Sequence, residues 1–308
     1  MKLVYKHTLL LATVALATTF QLPAAEGYKW LIDFEEAKKK AQKEGKSIFM
    51  NFTGSDYCLP CKALDANVFS TEIFQTEMAK HVIFLKLDSP ADTSKQSQKE
   101  IEQNKKLVEQ FSVAGPPTLF LADANGKPYW KTVGYAQQTA DDFTNNLKKK
   151  LSILELRNKA LTKAENAAGH EKAKLLAQGL DQIHEEILLT FYKSQVEELI
   201  KLDQTNDKSI SAKYSALKRA PQIAEKLQEI LLKEAPAEEL LKLLDGLIEE
   251  EKPVGIVLQE ALYWKGAALF QSGKKDEARK VFEEIVKSGP DTLVGMKANM
   301  IIKQVLPK

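Results

Sequence analysis

The chain's two cysteines stand close together in Cys58-Leu59-Pro60-Cys61, just after the apolar run Ser47-Ile48-Phe49-Met50-Asn51-Phe52. An apolar run, a thiol pair and then an amphipathic pattern restrict this stretch to strand, turn and helix, with the sulfurs at the helix's first turn. Unpaired backbone N–H groups and the positive end of the helix dipole stabilise a thiolate there. The thiolate is the form that attacks a disulfide, so the spacing reads as a redox pair. The competing reading is a purely structural bridge, but so short a loop removes little entropy from the unfolded chain.

Around this motif, strands and helices alternate. Asp33 to Glu44 carries Phe34, Ala37 and Ala41 at helical spacing and stops at Gly45. Lys62 to Lys80 is amphipathic through Leu64, Val68, Phe69, Ile73, Phe74 and Met78, with a break expected at Ser70-Thr71. Val82 to Asp88 reads as a buried strand ending before Pro90, and Glu100 to Phe111 as a helix that Gly115-Pro116-Pro117 cannot continue. Thr118 to Leu121 and Tyr129 to Val133 are strands joined by the Asn125-Gly126 hairpin signal. The unit closes with Gly134 and a helix over Ala140 to Leu151. The pattern predicts a mixed α/β sheet.

A length of 308 residues with 44% hydrophobic residues allows more than one core. Met1 to Ala25 has Lys2 and Lys6, an apolar stretch from Thr8 to Phe20, and Pro23-Ala24-Ala25 ahead of Glu26, the layout of a signal peptide cleaved near Ala24 or Ala25. Lys2 and Lys6 account for the whole formal net charge of +2. The mature chain is therefore neutral and gives no argument for nucleic acid or acidic lipid. No membrane insertion is expected after cleavage, since no later stretch approaches the ~20 apolar residues of a spanning helix. The expected location is the periplasm or the outside of the cell, where a cysteine pair is a structural bridge or a redox centre.

After Leu151 the sequence turns to Leu-, Ala-, Lys- and Glu-rich helical segments, read as a second, all-α domain over 152–308. Within it, Leu262, Gly266, Leu269, Gly273, Ala278, Phe282 and Pro290 resemble one tetratricopeptide repeat, a helical hairpin near 259–290, with Lys265 and Lys275 departing from the pattern. Tyr192 to Asn206 resembles the tail of a more degenerate repeat. A bundle with one repeat-like hairpin is the alternative. Trp30, Trp130 and Trp264 read as core or domain-contact residues, and the runs Lys38-Lys39-Lys40 and Lys148-Lys149-Lys150 as solvated helix faces. With one cysteine pair and isolated histidines, no metal site is expected, and no cofactor.

Residues from about Trp30 to Leu151, within a first domain read as 26–151, resemble a thioredoxin-like domain. The resemblance rests on the strand Ile48 to Thr53, the cysteine motif opening a helix, Gly115-Pro116-Pro117-Thr118, the Asn125-Gly126 hairpin and Val133-Gly134. The segment Phe52 to Cys58 is similar to an exported bacterial branch related to the C-terminal domain of thiol-disulfide interchange proteins. The resemblance implies that Cys58, the more exposed cysteine with a depressed pKa, attacks a substrate disulfide, and that the more buried Cys61 resolves the mixed disulfide. It implies that Pro60 stiffens the turn and that Pro117 is a cis-proline shaping a substrate groove. Tyr57, Leu59 and Pro116 are the further groove candidates, and Pro116 offers a carbonyl but no N–H. The buried aspartate that thioredoxins use for proton transfer has no counterpart: counting back from Cys58 places Phe52 there, or Asn51 if the turn carries an extra residue. Asp56 and Lys62 are the nearest substitutes.

The expected function is an exported thiol-disulfide oxidoreductase, leaning towards reduction, with disulfide-containing proteins as substrates and an unidentified thiol electron donor. The alternative is an adaptor in which the helical domain binds a protein partner and the thioredoxin-like part is a scaffold.

Overall fold

The computed structural model describes residues 28–203, 210–290 and 292–306; the expected leader lies outside the described residues. Helix α1, Phe34–Glu44, begins where the Asp33 side chain accepts the Glu36 N–H at 3.0 Å, and ends at Gly45 in the left-handed region, φ 64°. Strand β1, Ser47–Thr53, is followed by α2, Leu59–Leu64, a single π-helical turn at Asp65–Phe69, and α3, Glu72–Met78. The expected break is therefore real, with Thr71 capping α3. The preceding helix starts earlier than Lys62, because Cys58 itself is the cap of α2. Then come β2, Val82–Asp88, α4, Gln98–Gln110, β3, Thr118–Ala122, and β4, Pro128–Val133.

The four strands form one mixed sheet in the order β2-β1-β3-β4, with β1 parallel to β2 and antiparallel to β3. Phe52 lies opposite Thr118, and Thr118 opposite Val133, so the ends of β1, β3 and β4 share one edge of the sheet. Side chains alternate between the faces. Ile48, Met50 and Phe52 pack with α1, α4 and Phe120 on one side, while Phe49 packs with Leu64, Phe69, Phe74 and Tyr129 on the other. Every residue of β1 is buried, as expected of a central strand covered by helices on both faces.

The helix expected to close at Leu151 runs on: α5 spans Ala140–Glu165. No glycine or proline interrupts that stretch, and its Leu-, Ala- and Lys-rich composition favours continuation. Among the described residues eight further helices follow: α6, Gly169–Leu180; α7, Glu185–Phe191; α8, Lys193–Asp203; α9, Ser211–Leu231; α10, Ala237–Glu251; α11, Gly255–Gln271; α12, Lys275–Ser288; and α13, Leu293–Gln304. The first of these share a core with the sheet. Phe111 and Phe120 belong to the same apolar cluster as Leu180, Leu188, Tyr192 and Tyr214, and the Phe111 and Phe191 rings lie 5.0 Å apart.

The hairpin expected near 259–290 is α11 and α12. Leu262, Leu269, Ala278 and Phe282 share one cluster, and a β-carbon at Gly266 would sit 2.9 Å from the Phe282 ring. Lys265 turns outward to Asp245 at 2.6 Å, and the Lys275 ammonium lies 6.0 Å from the Phe270 ring centre. Trp30 and Trp130 join the core beneath the sheet. Trp264 departs from its expected role: it is 42% exposed, with its ring edge-on to Tyr263. Among the described residues no helix is long and apolar enough to cross a membrane.

Candidate active site

At the end of β1 the chain turns through Gly54 to Tyr57 into α2, and the Cys58 N–H closes the turn on the Gly54 carbonyl at 2.9 Å. Cys58 is the N-cap of α2, where its sulfur accepts the Cys61 N–H at 3.2 Å, and the two sulfurs are joined as a disulfide. Pro60 falls in the first helical turn, where its missing N–H costs no intrahelical bond.

The turn is tied to its neighbours. Both carboxylate oxygens of Asp56 accept backbone N–H groups of the loop after β2, Ala91 and Asp92, each at 2.9 Å, and Ser55 N–H reaches Asp88 at 2.9 Å. The Asp92 and Ala91 N–H groups hold the Asp56 carboxyl below its ordinary pKa. The Lys62 ammonium bends back to donate to the Asp56 carbonyl at 2.6 Å. Of the two residues considered as substitutes in proton transfer, Asp56 thus has its carboxylate turned to the 91–92 loop, and Lys62 has its ammonium on the turn's backbone.

Next along the sheet edge, the Pro116–Pro117 bond is cis, with Pro117 buried and Pro116 half-buried. The Thr118 hydroxyl donates to the Gly115 carbonyl at 2.6 Å, and the Gly134 N–H donates to the Pro117 carbonyl at 2.8 Å. Pairing of Phe52 with Thr118 sets this proline loop beside the end of β1, from which the cysteine turn departs.

The expected contrast between an exposed Cys58 and a buried Cys61 is absent: they are 6% and 5% exposed. The Cys58 sulfur, bonded to Cys61, lies at the first turn of α2, and its neighbours form the outer surface. Tyr57 and Leu59 are 53% and 74% exposed. The Tyr57 ring lies against Gly54, where a β-carbon would come within 2.5 Å of it. Glycine at 54 thus lets the tip of the exposed Tyr57 ring rest on the turn, and a larger residue would displace it.

The choice between Phe52 and Asn51 is settled by strand alternation. The Phe52 ring meets Phe111 at a tilt and Phe120 edge-on, on the face away from α2, at 5.8 and 5.7 Å between ring centres. Asn51 shares its face with Phe49, on the α2 side, and is buried with its side-chain carbonyl lacking a hydrogen-bond partner among the described residues. The polar residue beneath the redox helix is thus an amide that cannot ionise. Sequence reasoning passed over the Asp56 clamp, whose partners lie on a loop far along the chain.

Residues 34–151 match the thioredoxin-like domain family. Together with the four-stranded mixed sheet and the cysteine pair capping a helix beside a cis-proline, this makes the N-terminal part of the chain a thioredoxin-like domain followed by an all-α region. Among curated proteins, the chain is similar to the disulfide bond reductase DsbH of Chlamydia pneumoniae, 29% identical over 104 residues. That alignment covers 34% of this chain and spans 61% of the relative's length. Among solved structures, a DsbH oxidoreductase matches at 25% identity and TM-score 0.39, over 46% of this chain and 95% of its own. The oxidised C-terminal domain of Neisseria meningitidis DsbD matches at 15% identity and TM-score 0.29, over 37% of this chain and 90% of its own.

Proposed function

We propose that this chain is an exported thiol-disulfide oxidoreductase that reduces protein disulfides. The observation that carries the reading is the Cys58–Cys61 disulfide at the start of α2, with the Cys61 N–H aimed at the Cys58 sulfur and the Pro117 loop at the adjoining strand end. That N–H supports a negative charge on the Cys58 sulfur in the reduced enzyme. The Cys58 thiolate attacks one sulfur of a client disulfide, forming a mixed disulfide and expelling the other client sulfur as a thiolate. Cys61 then loses its proton and attacks the Cys58 sulfur, which releases the second client sulfur and closes the Cys58–Cys61 bond. Two electrons pass to the client, whose two sulfurs end as thiols, and a dithiol donor reopens the enzyme's disulfide for the next cycle. Tyr57, Leu59 and the Pro116 carbonyl offer the client an apolar surface and a backbone acceptor. The lean towards reduction follows the function named for the Chlamydia relative, and export follows the leader-like Met1 to Ala25.

With insulin as the disulfide substrate and a dithiol as donor, the wild-type chain is expected to be active and Cys58→Ser to fall to background. Cys61→Ala is expected to accumulate a covalent mixed disulfide, visible as a reducible mass increase. Equal insulin reduction by wild type and Cys58→Ser would assign the chain to the adaptor class instead. A Cys58–Cys61 potential at the strongly oxidising end, measured against glutathione, would reverse the direction.

A further inference from the structure

The redox turn, the cis-proline and Gly134 follow one another along the sheet edge, because the ends of β1, β3 and β4 are in register there. Beyond Gly134 the row is continued by the helical region. The Met296 methyl of α13 lies 3.5 Å from where a β-carbon of Gly134 would stand. Between α13 and the segment leaving β4 is a cavity of about 240 Å³, whose walls include Trp130, Tyr135, Phe143, Leu147, Met296 and Asn299. Tyr135 is fixed by its hydroxyl, which donates to the Gln138 carbonyl at 2.8 Å. Thr132, Gln138, Asn146 and Lys150 add polar groups to the lining, and among the described residues no acidic one joins them. Three aromatic rings and a flexible thioether make a wall that accepts apolar side chains of differing shape. The volume falls below the roughly 300–1,000 Å³ of sites for drug-sized ligands, which favours one inserted side chain over a free metabolite.

We propose that α13 and the Gly134–Gln138 segment form a client pocket that selects disulfides with a large apolar side chain about three residues from the reactive cysteine. The spacing follows from the sheet: β1 and β4 are two strand intervals apart, about 10 Å, and an extended chain advances about 3.3 Å per residue. A client lying across the strand ends, with its cysteine at Cys58, passes Pro117 and Gly134 and delivers that side chain to Met296. The helical region thereby acts in substrate selection, supplying the wall that the sheet domain lacks on that side. This inference rests on the thiol-disulfide reading above, since it places the client by its sulfur.

The test uses the full reduced chain and short peptides in mixed disulfide with a reporter thiol. Phenylalanine is placed three residues before or three residues after the peptide cysteine, with alanine at the same positions as the comparison. One of the two phenylalanine peptides is expected to exceed its alanine counterpart on the order of tenfold in kcat/KM, chiefly through KM. Met296→Trp and Asn299→Trp, each filling the cavity from a half-buried position on α13, are expected to bring that ratio to about one. Equal rates on phenylalanine and alanine peptides with wild type, or a preference that survives both fillings, would overturn the pocket while leaving the redox reading intact. Reduction of none of the peptides would overturn both.

Discussion

Arg157, on α5, is buried and shows how one side chain can fix the meeting of two regions. Its guanidinium donates to Asp123 Oδ2 at 2.8 Å and to the Tyr192 hydroxyl at 2.5 Å, and that hydroxyl donates onward to the Pro128 carbonyl at 3.0 Å. Burial pushes the Tyr192 hydroxyl up to about 12, against the lowering effect of Arg157. The Lys127 ammonium covers the same ring at 3.8 Å. Removing the buried guanidinium takes the partner from Asp123 Oδ2 and from the Tyr192 hydroxyl while Asp123 Oδ1 keeps the Asn125 and Lys127 N–H groups, so Arg157→Met is expected to lower stability by about 3 kcal/mol, read from the denaturant midpoint at constant slope. A loss near that of an exposed ion pair, below about 1 kcal/mol, would mean that water replaces the guanidinium. Arg157 was invisible in the sequence, where it stands among many charged residues of a helical run. Cys58 and Cys61 were plain, because their chemistry is written in their spacing.

At the scale of elements, the strands and caps followed the local pattern closely. Val82 to Asp88 was read residue for residue, and Asp33 and Gly45 punctuate α1 as a cap and a left-handed stop. The π turn at Asp65–Phe69 was not legible, since apolar periodicity does not distinguish it from a helical turn. Beside it, α3 is tied to α5 by Glu77, whose carboxylate accepts Lys80 at 2.6 Å and Lys148 at 3.0 Å. These bonds, Lys80's first, lower the Glu77 pKa to about 2. A carboxyl whose folded pKa is depressed contributes stability at pH above its unfolded value and loses it as pH falls through the folded one. The Glu77 contribution is therefore expected to be full above about pH 4.5 and to fade towards pH 2. Glu77→Gln is expected to flatten that part of the stability curve. Parallel acid-unfolding curves for wild type and variant would show that the pair is solvent-screened.

Over the whole molecule, the sheet and the first helices beyond α5 behave as one packing unit. Phe111 and Phe120 are covered from the side of Leu180, Leu188 and Tyr192, and the buried Lys131 of β4 pairs with Glu186 of α7. A chain ended after Leu151 would expose that apolar face. It is expected to lose cooperative thermal unfolding and to bind a hydrophobic dye, whereas a chain ended after Leu231, keeping α6 to α9, is expected to unfold in one sharp transition. Cooperative melting of the shorter chain would show that the helices only adjoin a self-sufficient domain. The change in composition after Leu151 falls inside α5, the helix from which the chain goes on as helices alone. It did not mark a break in the core, because composition records which elements form and not which faces they bury.

The sequence by itself determined the redox motif, its place between strand and helix, the order of the strands along the chain and the helical character of the second half. These are local properties, set by side-chain periodicity, caps and the stiffness of proline. Tertiary structure alone decided that Cys58 is as buried as Cys61, that Asn51 and not Phe52 faces the redox helix, and that α13 reaches Gly134 at the edge of the site. Each of those outcomes depends on contacts between segments distant along the chain. Their free energy comes from burying faces against one another, and no local window of sequence records which faces meet.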